Sequence, residues 1–239
     1  MVILIAKIEK VCREIRRVNK DVIIMVDNCY GDLVEEKEPT QVGADIIVGS
    51  LMKNLGGGIA KSGGYMVGKK QLIEDIAEHF SAPGTGKALG ANFNENITYF
   101  KGLFFAPRAV CSSLKTMTFA SLILEKLGFD VDPKFNEPRT DIIQTINLSN
   151  EENMIKFHIG VQKGSPIDSF VTPVAAPMAG YPHDEIMASG TFTQGSTIEL
   201  SCDGPMVKPY TAYMQGGLTY EYGKLGILLA LNEILKNKK

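Results

Sequence analysis

The sequence has few of the residues that make the simplest sites. Its four cysteines, Cys12, Cys29, Cys111 and Cys202, include no CxxC pair, and its three histidines, His79, His158 and His183, stand apart from one another and from the thiols. That scatter excludes a disulfide framework and a structural zinc site, so no metal is expected and a reducing, cytoplasmic location is. Neither sign of charge is in excess: 25 lysines and arginines face 27 aspartates and glutamates. A chain so balanced offers no basic footprint for nucleic acid and no polybasic patch for a membrane. Long apolar runs are missing at the start as well. "MVILIAK" holds five apolar residues after Met1 before Lys7 interrupts it, too few for a signal segment or a membrane span. The expected partner is a small molecule or a second copy of the chain.

What is present is a chain of 239 residues, 44% hydrophobic, long enough to bury roughly 70–75% of the surface its unfolded form would expose. Leu4, Ile8, Val11, Ile15 and Val18 recur at helical spacing opposite Lys7, Lys10, Arg13, Arg16 and Arg17, which predicts a helix over 1–19. "DVIIMVD" (21–27) and "ADIIVGS" (44–50) read as strands buried on both faces, the pattern of a parallel sheet covered by helices. "GGYMVG" (63–68) adds a strand, and 69–80 is an amphipathic helix that Pro83 and Gly84 end. Farther on come a helix near 112–127 closed by Gly128, a strand at 141–148, and a helix opened by a capping box of Ser149 and Glu152. Residues 190–202 alternate like half-buried antiparallel strands, and 220–237 is a terminal helix. The expected class is α/β over residues 1–105, with a second, α+β domain over 106–239.

Asp27 stands at the carboxyl end of the first strand, and Ser50 and Lys53 follow the next strand at the same edge, where open α/β sheets bind ligands. Asp27 alone reads equally as a turn aspartate, and Lys53 alone as a surface lysine. Together they form a set: an acid, a hydroxyl, an amine able to attack a carbonyl when desolvated, and then Gly56, Gly57 and Gly58, which would let backbone approach a ligand closely. That set suits pyridoxal phosphate, which needs a lysine for its aldehyde, an acid for its pyridine nitrogen and donors for its phosphate. Phosphate loops fit less well. "SAPGTGKA" (81–88) has Ser81 where a P-loop needs glycine and Ala88 where it needs a hydroxyl, and Lys61 breaks a GxGxxG reading from Gly56.

"VDNCYGDLVEEKEPTQVGADIIVGSLMKNLGGGIAKSGGYMVG" resembles the motif block of the methionine gamma-lyase-like family of pyridoxal-phosphate enzymes, which includes aluminium resistance proteins. "APGTGKALGANF" (82–93), "FNEPRTDIIQ" (135–144), "GTFTQGSTIELSCDGP" (190–205) and "YMQGGLTYEYGKLGILLAL" (213–231) continue the likeness in order. The resemblance implies the carboxyl-terminal part of an aspartate-aminotransferase-like, fold type I enzyme: a mixed sheet covered by helices and a smaller α+β domain. It implies that Lys53 carries the cofactor as a Schiff base, that Asp27 pairs with the pyridine nitrogen and that Ser50 holds phosphate. Tyr30 is a candidate for the ring's pocket or else a turn aromatic. Arg139 is a candidate for the substrate carboxylate or else an ion-pair partner of Glu137 or Asp141.

The implied activity is elimination from a small sulfur-containing amino acid. Transamination would use the same lysine and aspartate. Fold type I enzymes of this kind are longer, and the expected missing part is amino-terminal. Its loss would leave the strands at 22–27 and 45–49 with an open edge and an uncovered face. A non-catalytic fragment or assembly subunit is therefore the competing expectation. A homo-oligomer is expected either way. "MQGGLTY" (214–220) either faces a neighbouring subunit or supplies turn glycines that open the terminal helix.

Overall fold

The computed structural model describes residues 4–88 and 94–236; the end of the "APGTGKALGANF" stretch lies outside them. Helix α1 (Ile5–Val18) buries Cys12, flanked by Ile8 and Ile15, against Ile24 and Ala44. Val18, expected on that face, is 91% exposed. Strand β1 (Met25–Asp27) runs parallel to β2 (Ile46–Ser50), and β3 (Gly64–Gly68) returns antiparallel on the other side of β2, so the sheet is mixed. The strands' two apolar faces are not both covered. Ile23 is 58% and Met25 63% exposed beside the unpaired edge of β1, because among the described residues only α1 covers this part of the chain.

Asp45 anchors this unit: the Ile24 amide donates to its carboxylate at 2.7 Å, and Arg16 and Lys69 pair with it. Helix α2 (Lys70–Phe80) follows β3. Helix α3 (Asn96–Lys126) begins well before 112 and runs through Pro107, whose missing N–H reads locally as a stop. The expected division between 105 and 106 falls inside it.

The second sheet is six-stranded and wholly antiparallel. It comprises β4 (Asp130–Asp132), β5 (Ile143–Asn147), β6 (Ala176–Pro177), β7 (Asp184–Ala188), β8 (Leu200–Pro205) and β9 (Thr211–Gly216), in the order β4-β5-β9-β8-β7-β6. Helices α4 (Glu151–Lys163) and α5 (Tyr220–Leu235) cover one face. Met154, Phe157, Ile186, Met214 and Ile227 are fully buried there with Met117 and Leu124 of α3. The cap of α4 is Asn150, not Ser149: Asn150 is extended and accepts from the Asn153 amide, whereas Ser149 sits at φ 70°. Residues 190–199 are irregular because the buried Glu199 carboxylate takes the Phe192 and Thr193 amides, at 2.8 and 3.2 Å, that a ladder would otherwise use. No helix among the described residues is long and apolar enough to cross a membrane.

Candidate active site

Parallel pairing of β1 with β2, in the register Asp27 to Val48, brings Asp27 and Ser50 to one edge of the first sheet. Asp27 is exposed, and its carboxylate accepts from the Cys29 amide at 3.1 Å. The Cys29 thiol lies against the same carboxylate; burial, then Asp27, pushes it up to about 11, so it is a neutral thiol. Beyond β2 the chain turns through Lys53, whose amide donates to the Ser50 carbonyl at 3.3 Å.

Lys53 Nζ lies 5.0 Å from the centre of the Tyr30 ring, within cation–π reach. The Tyr30 hydroxyl extends toward Gln215 and Ser196 of the second unit, and burial pushes its pKa up to about 12. Asp27, Tyr30 and Lys53 line one cavity of about 750 Å³. Ser50 lines an adjoining cavity of about 490 Å³ with Gly63 and Gly64, and Cys29 lines both. Arg139 lines neither, although Thr140 and Asp141 line the Lys53 cavity. Its guanidinium donates to the Met117 and Ile143 carbonyls, at 3.0 and 3.2 Å, and to Gln144. It forms no ion pair among the described residues, its buried Nε has no partner, and burial lowers its pKa to about 10, leaving it charged.

The turn that carries Lys53 is fixed from below. Asn54, 0% exposed, donates to the Tyr30 carbonyl at 3.0 Å and to the Asp32 carbonyl at 2.8 Å, tying the lysine turn to the loop after β1. Asp32 accepts in turn from the Tyr65 hydroxyl at 2.5 Å and from Asn28 at 2.7 Å. The glycines after Lys53 serve a different purpose from the ligand approach expected of them. A Cβ on Gly57 would sit 2.4 Å from the Gly102 carbonyl oxygen, and one on Gly102 the same distance from that of Gly56. Only glycine on both sides lets the backbone of α3 rest on the lysine turn.

Sequence reasoning missed Cys29, Asp32, Asn54 and Tyr65. The available signal was weak: the Asp27–Asn28 and Tyr30–Gly31 dipeptides read as turns, and nothing local marks Asn54 as buried.

Three relatives are similar to this chain over nearly its whole length. Bacillus subtilis YnbB is 47% identical over 235 residues, which is 98% of this chain and 56% of YnbB. A Clostridium acetobutylicum structure linked by name to cystathionine beta-lyases and aluminium resistance is 48% identical with a TM-score of 0.91, over 97% of this chain and 54% of its own. A Clostridium novyi structure named carbon-sulfur lyase involved in aluminium resistance is 46% identical with a TM-score of 0.90, over 97% and 54%. Yeast cystathionine gamma-lyase, 17% identical with a TM-score of 0.57, shares the fold over 94% of this chain, so the chain matches part of an α/β fold of that type. The chain spans little more than half the length of YnbB and the two clostridial proteins. The sequence profile of methionine gamma-lyase matches residues 1–235, and with relatives of this similarity the chain belongs to the methionine gamma-lyase family.

Proposed function

We propose that this chain forms the lysine-bearing part of a pyridoxal-phosphate-dependent carbon–sulfur lyase acting on a small sulfur-containing amino acid. The observation that carries the reading is the placement of Lys53 Nζ over Tyr30 in a cavity it shares with Asp27. The residues fit the cofactor. Lys53 is an amine on a turn anchored by Asn54, Asp27 would hold the pyridine nitrogen, and Ser50, in the adjoining cavity among small residues, would hold the phosphate. When bound, pyridoxal phosphate supplies an aldehyde for the amines and a ring that takes up electrons from the substrate's α carbon.

Lys53 has two tasks in this scheme. Its amine would anchor the cofactor, and the same nitrogen, once free, would take the substrate's α proton. Tyr30 orients it through the ring face beneath Nζ. Arg139 stays the candidate for the substrate carboxylate as a charged guanidinium, but because it lines neither cavity and its Nε is buried, it would have to turn from the Met117 and Ile143 carbonyls to reach a ligand at Lys53. The exposed Ile23 and Met25 beside the open edge of β1 support a requirement for further polypeptide or a second copy to complete the enzyme.

The test is borohydride reduction of the longest polypeptide the gene encodes after incubation with pyridoxal phosphate. Peptide mapping should place the added mass on Lys53, and Lys53→Arg should carry none. Absence of the mass at Lys53 would defeat the reading. Assay of keto acid and released thiol from a panel of sulfur amino acids separates elimination from transamination.

A further inference from the structure

Strand alternation gives the second sheet two unlike faces. Ile186, Ala188, Cys202, Ala212 and Met214 point into the core under α4 and α5, so Glu185, Met187, Asp203, Tyr213 and Gln215 point the other way. That second face floors a cavity of about 740 Å³, walled by Met178, Tyr181 and Pro182. Tyr30 lines this cavity and the Lys53 cavity alike, so the two meet across its ring.

Two carboxyl groups face into it. The register pairs Glu185 with Pro205 and Met187 with Asp203, which makes Glu185 and Asp203 diagonal neighbours on one face, about 7–8 Å apart. Asp203 accepts from the Ser196 hydroxyl at 2.8 Å. Glu185 is 9% exposed, and among the described residues no donor or cation pairs with its carboxyl group. Burial raises the pKa of both carboxyls, and the charge of Asp203 adds to this for Glu185; His183 eases it for Glu185, and the Ser196 hydrogen bond and then Lys53 ease it for Asp203. The remaining walls are largely apolar, so the cavity joins an apolar and aromatic passage to a pair of acceptors with no direct salt bridge, Lys53 and His183 acting on them only at longer range. A largely shielded acceptor pair of that kind gains most from a charged donor.

We propose that this cavity receives the side chain of the amino acid whose amine reacts at Lys53, and that Glu185 and Asp203 select side chains ending in an ammonium group. The substrate class is a thioether amino acid with a cationic arm. The inference rests on Lys53 as the reactive lysine, but the pocket can be tested without the cofactor.

S-(2-aminoethyl)-L-cysteine and S-propyl-L-cysteine differ at the tip of the arm, ammonium against methyl. Calorimetric titration of the cofactor-free protein should give a dissociation constant at least about tenfold lower for the aminoethyl compound, as a charge-assisted hydrogen bond predicts. Glu185→Gln and Asp203→Asn, both close in shape to the parent side chains, should each bring that ratio toward one while leaving S-propyl-L-cysteine binding within about twofold. Equal affinities, no binding of either compound, or a ratio unchanged in both variants would overturn the proposal. If borohydride fails to label Lys53 and the ratio holds, the cation pocket stands and the lysine reading falls; labelling without the ratio removes the pocket alone.

Discussion

Replacing Asp32 by asparagine removes a charge from the network beneath the lysine turn while keeping the side chain's shape. Asp32 is 2% exposed; its Oδ1 accepts from Tyr65 and Asn28, and its Oδ2 has no partner. Burial, helped by the charges of Glu38 and Asp27, outweighs the Tyr65 and Asn28 hydrogen bonds and holds the carboxyl up at about 6, against 3.8 for an unperturbed aspartate. The folded protein therefore binds a proton more tightly than the unfolded chain. Between those values stability rises as pH falls, and above pH 6 the full charge-burial cost remains, roughly 3 kcal/mol. Asparagine keeps an acceptor for both donors but places an amide where Oδ2 had no partner, which costs about 1–3 kcal/mol. The net offset between variant and wild type is small at pH 8, yet its pH dependence is not. Wild type should gain about 1.4 kcal/mol relative to Asp32→Asn between pH 8 and pH 5. Urea unfolding at four pH values across that range measures the difference directly. A difference independent of pH, or one that moves in favour of the variant as pH falls, would refute the placement of a charged, half-satisfied carboxyl under the site.

His158 gives the opposite slope. It is fully buried on α4, its Nδ1 bonds the Met154 carbonyl at 2.8 Å, and burial lowers its pKa to about 4. As pH falls below about 6.5 the unfolded chain gains a proton that the folded one refuses. Wild type should lose about 2 kcal/mol more than His158→Gln between pH 7 and pH 5, read from urea midpoints. Asn54→Ala removes two donors from the Tyr30 and Asp32 carbonyls but also removes the side-chain oxygen that lacks a partner, for a net loss of about 1–2 kcal/mol. Because those bonds fix the lysine turn, borohydride-dependent labelling of Lys53 by pyridoxal phosphate should slow in the variant at temperatures where it is folded. An unchanged labelling rate would show that Asn54 serves stability alone.

What could be read along the chain was whatever depends on near neighbours. The apolar run at 46–48 followed by Ser50 and Lys53 marks a strand and its carboxyl edge, and parallel pairing with the strand ending at Asp27 puts acid and amine on one side. What escaped depends on contacts far apart in sequence. Tyr65 reaches Asp32 across 33 residues and Asn54 reaches Tyr30 across 24, so neither polar side chain looks buried in its own window. The glycines after Lys53 are the sharper case. Their composition fits a ligand cradle, and only the path of α3 shows that Gly56 and Gly57 meet Gly102 backbone to backbone. Tyr30 shows how these distant contacts converge on the candidate site. Its backbone carbonyl is held by Asn54 from the lysine turn, its ring lies under Lys53, and its hydroxyl reaches toward Gln215 and Ser196 on the second sheet. One residue therefore fixes the position of the amine relative to the Glu185–Asp203 face. Under the proposed function, a substitution that shifts the Tyr30 ring would disturb the Lys53 nitrogen and the entrance to the Glu185–Asp203 cavity together, coupling anchoring and selection through a single side chain.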